Sequence, residues 1–303
     1  MEPGGSAVTI APTTLRKIRR IELQTRRLVD DVFAGAYHAV FKGRGIESDA
    51  VRPYEPGDDV RAIDWNVTAR AGEPFVKQYV EERELTVMLA MDASASCLFG
   101  TSKRQKRDAA AEIGAVLAYA ALRNNDKVGL LLFSDRAELY VPPHKGRNHI
   151  LRLIRELLTA QPAGQTTDLA LALRTVSRLL KRQAVVFLIS DFLTADESYA
   201  RNLTLTARQH DIIAVMLNDP LEQRWPGVGI VGLRDAETGA VVWVDTGQPG
   251  WRGHFEKQAQ QRRERTLSIL NNAGVDRIEI ASGGDAAAAL VSFFQQRARR
   301  LGR

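Results

Sequence analysis

Four stretches of this chain are apolar almost without interruption. They are L-T-V-M-L-A-M over 85–91, K-V-G-L-L-L-F-S over 127–134, A-V-V-F-L-I-S-D over 184–191 and D-I-I-A-V-M-L-N over 211–218. Apolar runs of this length without alternation predict strands buried on both faces of a parallel sheet. A-E-L-Y-V-P-P (137–143) reads as a strand whose two prolines place it at an edge, and R-I-E-I (277–280) as a last strand. Between these runs the apolar positions switch to helical spacing. The helices expected are 103–123, with Ile113, Val116, Leu117 and Ala120 on one face, then 149–158, 169–180, 196–209, 252–272 and 286–300. Strands alternating with helices predict a doubly wound α/β domain with a mostly parallel sheet. At 228–246 two β-rich runs flank D-A-E-T-G, which predicts an inserted hairpin.

The N-terminal part has a different texture. Leu15, Ile18, Ile21, Leu28, Val29 and Val32 recur at helical spacing, with Thr13 or Thr14 available as N-cap, so 14–32 is expected to be an amphipathic helix. Residues 43–84 are dense in Gly, Pro, Arg and Asp, and Pro53, Pro56 and Gly57 break any long helix. The interspersed charges suggest ion pairs holding an extended segment against the body, with a partner-docking surface as the rival reading. Asp64 and Trp65 read as ion-pair and packing residues. The expected division is 1–84, an N-terminal helix and Arg/Asp-rich extended segment, and 85–303, the α/β domain with its hairpin.

With 303 residues, 45% of them hydrophobic, the chain can build one large domain with an appendage. One Cys excludes a disulfide framework and a Cys-based zinc site, and fits a reducing compartment. No apolar run approaches the ~20 residues that span a bilayer, and M-E-P-G-G-S-A-V-T-I lacks the build of a signal peptide. The expectation is a cytoplasmic protein. The net charge of +6 is concentrated in Arg16, Lys17, Arg19, Arg20, Arg26, Arg27 and the R-A-R-R-L-G-R terminus. No aromatics are interleaved to stack bases, so nucleic acid is not the expected partner.

Candidate chemistry sits where the apolar runs end. The first closes on D-A-S-A-S, giving Asp92, Ser94 and Ser96; Q-T-T-D-L at 165–169 gives Thr167, with Thr166 as the alternative; the third run closes on Asp191. Ligands of open α/β sheets bind at the carboxyl ends of strands. All five residues are oxygen donors, which suits a hard cation: Mg²⁺, with Mn²⁺ or Ca²⁺ as alternatives. Neutral hydroxyls plus one or two acids leave such an ion under-neutralised and ready to accept a partner's carboxylate, a binding device more than a catalytic one. Rival readings are a helix N-cap at Ser94 or Ser96, and a cysteine nucleophile at Cys97 paired with His144 or His149. A phosphoaspartyl transferase would need a second acid where Ser94 stands. No G-x-x-x-x-G-K-[ST] or G-x-S-x-G occurs. No enzymatic activity is expected; a metal-dependent hydrolase or phosphotransferase and a metal-free scaffold are the alternatives.

D-A-S-A-S, T-D-L and the strand-terminal S-D together resemble the metal-ion-dependent adhesion site of von Willebrand factor A domains. G-R-G-I-E, R-P-Y-E-P-G-D-D-V-R-A-I-D-W-N-V-T-A-R, V-K-Q-Y-V-E-E-R-E, F-L-I-S-D-F and D-A-E-T-G extend the likeness to the domain-of-unknown-function family 58, over about residues 14–297. The resemblance implies a von Willebrand A-like sheet with a metal at its carboxyl edge. It implies direct contacts from Ser94, Ser96 and Thr167, and contacts through water from Asp92 and Asp191. It further implies a MoxR-type AAA+ ATPase as partner in chaperone-like assembly of an acidic client protein. The loop reads G-Q-T-T-D where the family more often has G-G-T-D.

Overall fold

The computed structural model describes residues 34–41, 51–77, 84–101, 104–194, 196–236 and 239–301. The helix expected over 14–32 lies outside them. In chain order the elements are α1 (Ala34–Phe41), β1 (Val51–Pro53), α2 (Trp65–Ala71), β2 (Phe75–Lys77) and β3 (Thr86–Asp92). Next come α3 (Lys106–Arg123), β4 (Lys127–Phe133), β5 (Ala137–His144), α4 (Arg147–Thr159), α5 (Leu169–Leu179) and β6 (Val185–Ser190). Then follow α6 (Tyr199–Gln209), β7 (Asp211–Asn218), the single turn α7 (Pro220–Gln223) and a hairpin of β8 (Ile230–Arg234) and β9 (Val241–Asp245). The chain closes with α8 (Pro249–Asn272), β10 (Asp276–Ala281) and α9 (Ala286–Leu301).

The apolar runs assemble into one six-stranded sheet in the order β10-β7-β6-β3-β4-β5. Every neighbouring pair is parallel except β4 with β5, which is antiparallel and carries the edge. Odd positions of β3 (Val87, Leu89, Met91) pack with α1, α3, α4 and α9, and even positions (Met88, Ala90) with α5, α6 and the end of α8. Helix α3 is Ala-rich and nearly all of it is buried, because small side chains let it lie close between the sheet and α4. At Gly114 a Cβ would meet Leu157 Cδ1 at 2.8 Å, so α3 and α4 touch backbone to side chain there. This is the doubly wound, mostly parallel α/β architecture with an inserted hairpin that the sequence predicts. From β3 the chain leaves toward β4, and from the adjacent β6 toward β7 on the other side. The crevice between the two carboxyl ends is the topological switch point.

Two N-terminal readings change. Helix α1, not read from the sequence, buries Tyr37, Val40 and Phe41 against Phe187 and Phe294, and Tyr37 Oη donates to Asp126 Oδ2 at 3.2 Å. The described part of the Arg/Asp-rich segment is a small antiparallel ribbon enclosing a helix rather than an extended strand. Its Arg52–Asp58 pair is internal and two-pronged, at 2.7 and 2.5 Å. Asp64 is the N-cap of α2, accepting from the backbone N–H groups of Asn66 and Val67, and Trp65 is 67% exposed, so it is not a packing residue.

Candidate functional site

Strand β3 delivers Asp92 to the switch point, fully buried, and the chain then turns sharply. Asp92 Oδ1 accepts from Ser94 N–H at 2.9 Å, fixing the turn, and Oδ2 accepts from Ser190 Oγ at 2.7 Å, across from the end of β6. Ser94 is extended (φ −60°, ψ 168°) and its hydroxyl does not cap the following 3₁₀ turn (Ala95–Leu98), which removes the N-cap reading for that residue. Instead Ser94 Oγ lies 3.1 Å from Ser96 Oγ and 2.8 Å from Thr167 Oγ1. Thr167 Oγ1 also comes within 3.3 Å of Asp92 Oδ2; its single proton can serve one of the two acceptors at a time. Four of the five expected residues therefore form one continuous cluster of oxygens. Asp92 and Ser94 are at the bottom, and the half-buried Ser96 and Thr167 lie toward the opening.

The loop that brings Thr167, and not Thr166, to the cluster is pinned by backbone bonds. Ala95 N–H donates to Gln165 O at 2.9 Å and Asp168 N–H to Ser134 O at 3.0 Å. Glu138 beneath it accepts from Gly164 N–H at 2.7 Å and from Ser134 Oγ at 2.5 Å. Asp168 itself turns away from the cluster and caps α5, accepting from Leu171 N–H at 2.7 Å. Asp168→Ala is expected to lower folding stability by about 1 kcal/mol, the usual worth of such a cap. A denaturant titration checks this, and ion binding should be unchanged.

Asp191 is held differently. Its Oδ1 accepts from Leu193 N–H at 3.1 Å, and its Oδ2 takes a 2.5 Å ion pair from Lys106 Nζ. Lys106 also reaches Glu222 Oε1 at 2.5 Å, and its side chain is 0% exposed. Neither Lys106, Glu222 nor Ser190 was singled out from the sequence. Lys106 occupies the first position of α3, where a cation opposes the helix dipole, and this misplaced charge was the available signal. Burial works against the Lys106 charge, but Asp191 and Glu222 outweigh it and push its pKa up to about 12. Burial raises the Glu222 carboxyl, and Lys106 offsets this only in part. Burial, then repulsion from Asp191, pushes Asp92 up to about 6, against the pull of its bonds from Ser190 and Ser94.

Three carboxylates (Asp92, Asp191, Glu222) against one ammonium (Lys106) leave two formal negative charges in this buried group when all are ionised. One divalent cation would balance them. The donors Ser94, Ser96, Thr167 and Asp92 are all hard oxygens, so the residues present fit Mg²⁺ or a similar ion. Among the described residues no group of three or more His, Cys, Asp or Glu side chains gathers to hold a metal, so any ion here would depend on the hydroxyls. Cys97 is buried in the 3₁₀ turn, and burial followed by the charges of Asp92 and Asp191 pushes its thiol up, away from nucleophilic thiolate. His144 and His149 lie at the opposite end of the sheet. His144 is paired in register with Val128 at the start of β4, and His149 Nε2–H donates to Val128 O at 2.7 Å. The structure keeps that pair and Cys97 apart.

Fold and site together define a doubly wound α/β domain carrying a hydroxyl-rich oxygen cluster at its switch point. Residues 50–265 match the family model described as protein of unknown function DUF58, and the chain belongs to that family. It is 33% identical over 290 residues to uncharacterized proteins of Mycobacterium tuberculosis and Mycobacterium bovis, covering 95% of this chain and 91% of each relative. Among solved structures, similarity extends to the conserved hypothetical protein BatB from Bacteroides thetaiotaomicron (17% identity, TM-score 0.48, 71% of this chain and 99% of that one). It also extends to the SpRpn10 VWA domain (9% identity, TM-score 0.40, 69% and 94%). Among the described residues no helix is long and apolar enough to cross a membrane.

Proposed function

We propose that this protein is a metal-dependent protein-interaction module. The observation that carries the reading is the single cluster formed by Asp92, Ser94, Ser96 and Thr167 at the switch point, where two formal negative charges stand unbalanced when Asp92, Asp191 and Glu222 are all ionised. Ser94, Ser96, Thr167 and Asp92 would hold the ion, with Asp191 beside it. A bound Mg²⁺ would supply an electrophilic centre for a carboxylate of the partner. Leu98, Phe99 and Leu193 are exposed on the same loops, giving an apolar rim that suits a protein rather than a small anion. The family resemblance makes a cytoplasmic MoxR-type AAA+ ATPase the first partner to test, with an acidic client protein as the species presented to it.

Calorimetric titration with Mg²⁺ and Mn²⁺ tests the reading, beside thermal melts in ion and in chelator. The expected result is one ion per chain and a rise in Tm, worth about 2.7 kcal/mol at a hundredfold excess over Kd. Both should be absent in Asp92→Ala and weakened in Thr167→Ala. Neither heat nor a melt shift in the wild-type chain would remove the metal. The ion pair of Lys106 on Asp191 favours a second reading for that outcome, a metal-free scaffold in which the built-in ammonium supplies the positive charge.

A further inference from the structure

Asp191 is followed by a residue in a conformation that side chains avoid. Phe192 has φ 55°, the left-handed region, where a bulky residue is strained and marks a place worth functional scrutiny. The consequence of that turn is a division of labour over three residues. Asp191 faces Lys106, Phe192 buries its ring near Tyr199 (centroids 6.5 Å apart), and Leu193 comes to the surface. Beside them, between the start of α6 and the second half of α8, lies a pocket of about 300 Å³. Phe192, Tyr199 and Ile269 give it apolar walls, Leu193 forms its lip, and Arg262 and Arg265 stand at its mouth.

The mouth is electrostatically unfinished. Among the described residues Arg265 makes a single, long ion pair, to Glu197 at 3.8 Å, and Arg262 makes none. The arginine between them in sequence, Arg263, is by contrast fully engaged with Glu279 at 2.9 and 3.0 Å. Two guanidinium groups against one loosely held carboxylate, over a cavity walled by Phe192, Tyr199 and Ile269 together with Thr194 and Thr266, specify a ligand chemistry. An aromatic ring fills the cavity and adjacent carboxylates pair with the guanidinium forks, whose geometry matches carboxylate.

We infer that the pocket between Phe192, Tyr199, Ile269 and the arginine pair 262/265 is a docking site for a short acidic segment of a partner protein carrying an aromatic residue. It is separate from the oxygen cluster and does not need a metal, so it goes beyond the function proposed above and does not rest on it. The two are neighbours all the same. Leu193 forms the pocket lip with its side chain and holds the Asp191 carboxylate with its backbone N–H.

The test is a methyl-resolved NMR titration of the full chain labelled at Ile and Leu methyls, reading Leu193 and Ile269. The probes are the capped tripeptides Glu-Phe-Glu, Gln-Phe-Gln and Glu-Ala-Glu, all in chelator. Expected are saturable shifts at both methyls with Glu-Phe-Glu, about fivefold or more weaker binding for each of the other two, and a similar loss in the Arg262→Gln/Arg265→Gln variant. Both arginines are exposed, so that variant should fold normally. Equal affinity for Gln-Phe-Gln, an unaffected double variant, or no shifts up to about 5 mM Glu-Phe-Glu would each overturn the assignment. Binding seen only when Mg²⁺ is added would also overturn it, placing the peptide at the oxygen cluster instead.

Discussion

Lys106→Met is expected to lower folding stability by about 3–5 kcal/mol near neutral pH, because it strands a buried carboxylate without a cation. In the native protein the ammonium is wholly enclosed and touches Asp191 and Glu222 at 2.5 Å each. Methionine fills much of the same space, so the loss is one of charge rather than of volume. The pH dependence separates the two. Without Lys106, Glu222 is a buried acid that has lost its offsetting cation, and its folded pKa stands further above the unfolded one. Such groups contribute stability below the unfolded pKa and lose it as pH rises through the folded one. The deficit against wild type should therefore be small near pH 4 and grow toward pH 8. Asp191→Asn added to Lys106→Met should restore a large part of it, since the double variant removes the stranded charge. Urea titrations across that range give the answer. A deficit that is flat with pH, and not relieved by Asp191→Asn, would mean that Lys106 acts through packing alone.

This ion triad marks the limit of what could be read without coordinates. The strands were legible because each carries its own signal: an unbroken apolar run such as V-V-F-L-I-S has no use except burial on both faces. Asp92, Ser94, Ser96, Thr167 and Asp191 were legible because each follows such a run or a helix-opening loop, and the parallel topology brings those ends to one edge. Lys106 and Glu222 are 116 residues apart, and nothing local to either announces the other. Their meeting depends on α3 and the single turn α7 converging over the sheet edge, which is a tertiary fact. Ser190 was hidden for another reason. It reads as the polar end of a strand, and only the parallel neighbour shows that its hydroxyl serves Asp92. Trp65 went wrong through the opposite error, an aromatic assumed to be packed although its helix has no buried residue. Helix α1 was missed because A-G-A-Y-H-A-V-F is too short to establish a period.

Asp92→Asn should be more stable than wild type in chelator at pH 7–8, by roughly 2–3 kcal/mol, and yet unable to gain from Mg²⁺. The sign follows from the direction of the shift. Burial and the nearby Asp191 push Asp92 up to about 6, above the roughly 4 of an unfolded aspartate. Its protonated form is thus the one that folding prefers. That contribution is complete below about pH 4 and is lost as pH rises through about 6, leaving an ionised, buried carboxylate at neutral pH. Asparagine imitates the neutral acid. It can still accept the Ser94 N–H bond, and the Ser190 and Thr167 hydroxyls can rotate to accept from its amide. The variant should therefore lack this pH dependence between about 4 and 6. Saturating Mg²⁺ should reverse the order of the two proteins, because only the wild-type carboxylate gains from a cation placed beside it. Such a reversal would identify the buried charge as a cost kept for binding. If Asp92→Asn were the less stable protein in both conditions, the carboxylate would be a structural hydrogen-bond acceptor, and the metal reading would lose its main support.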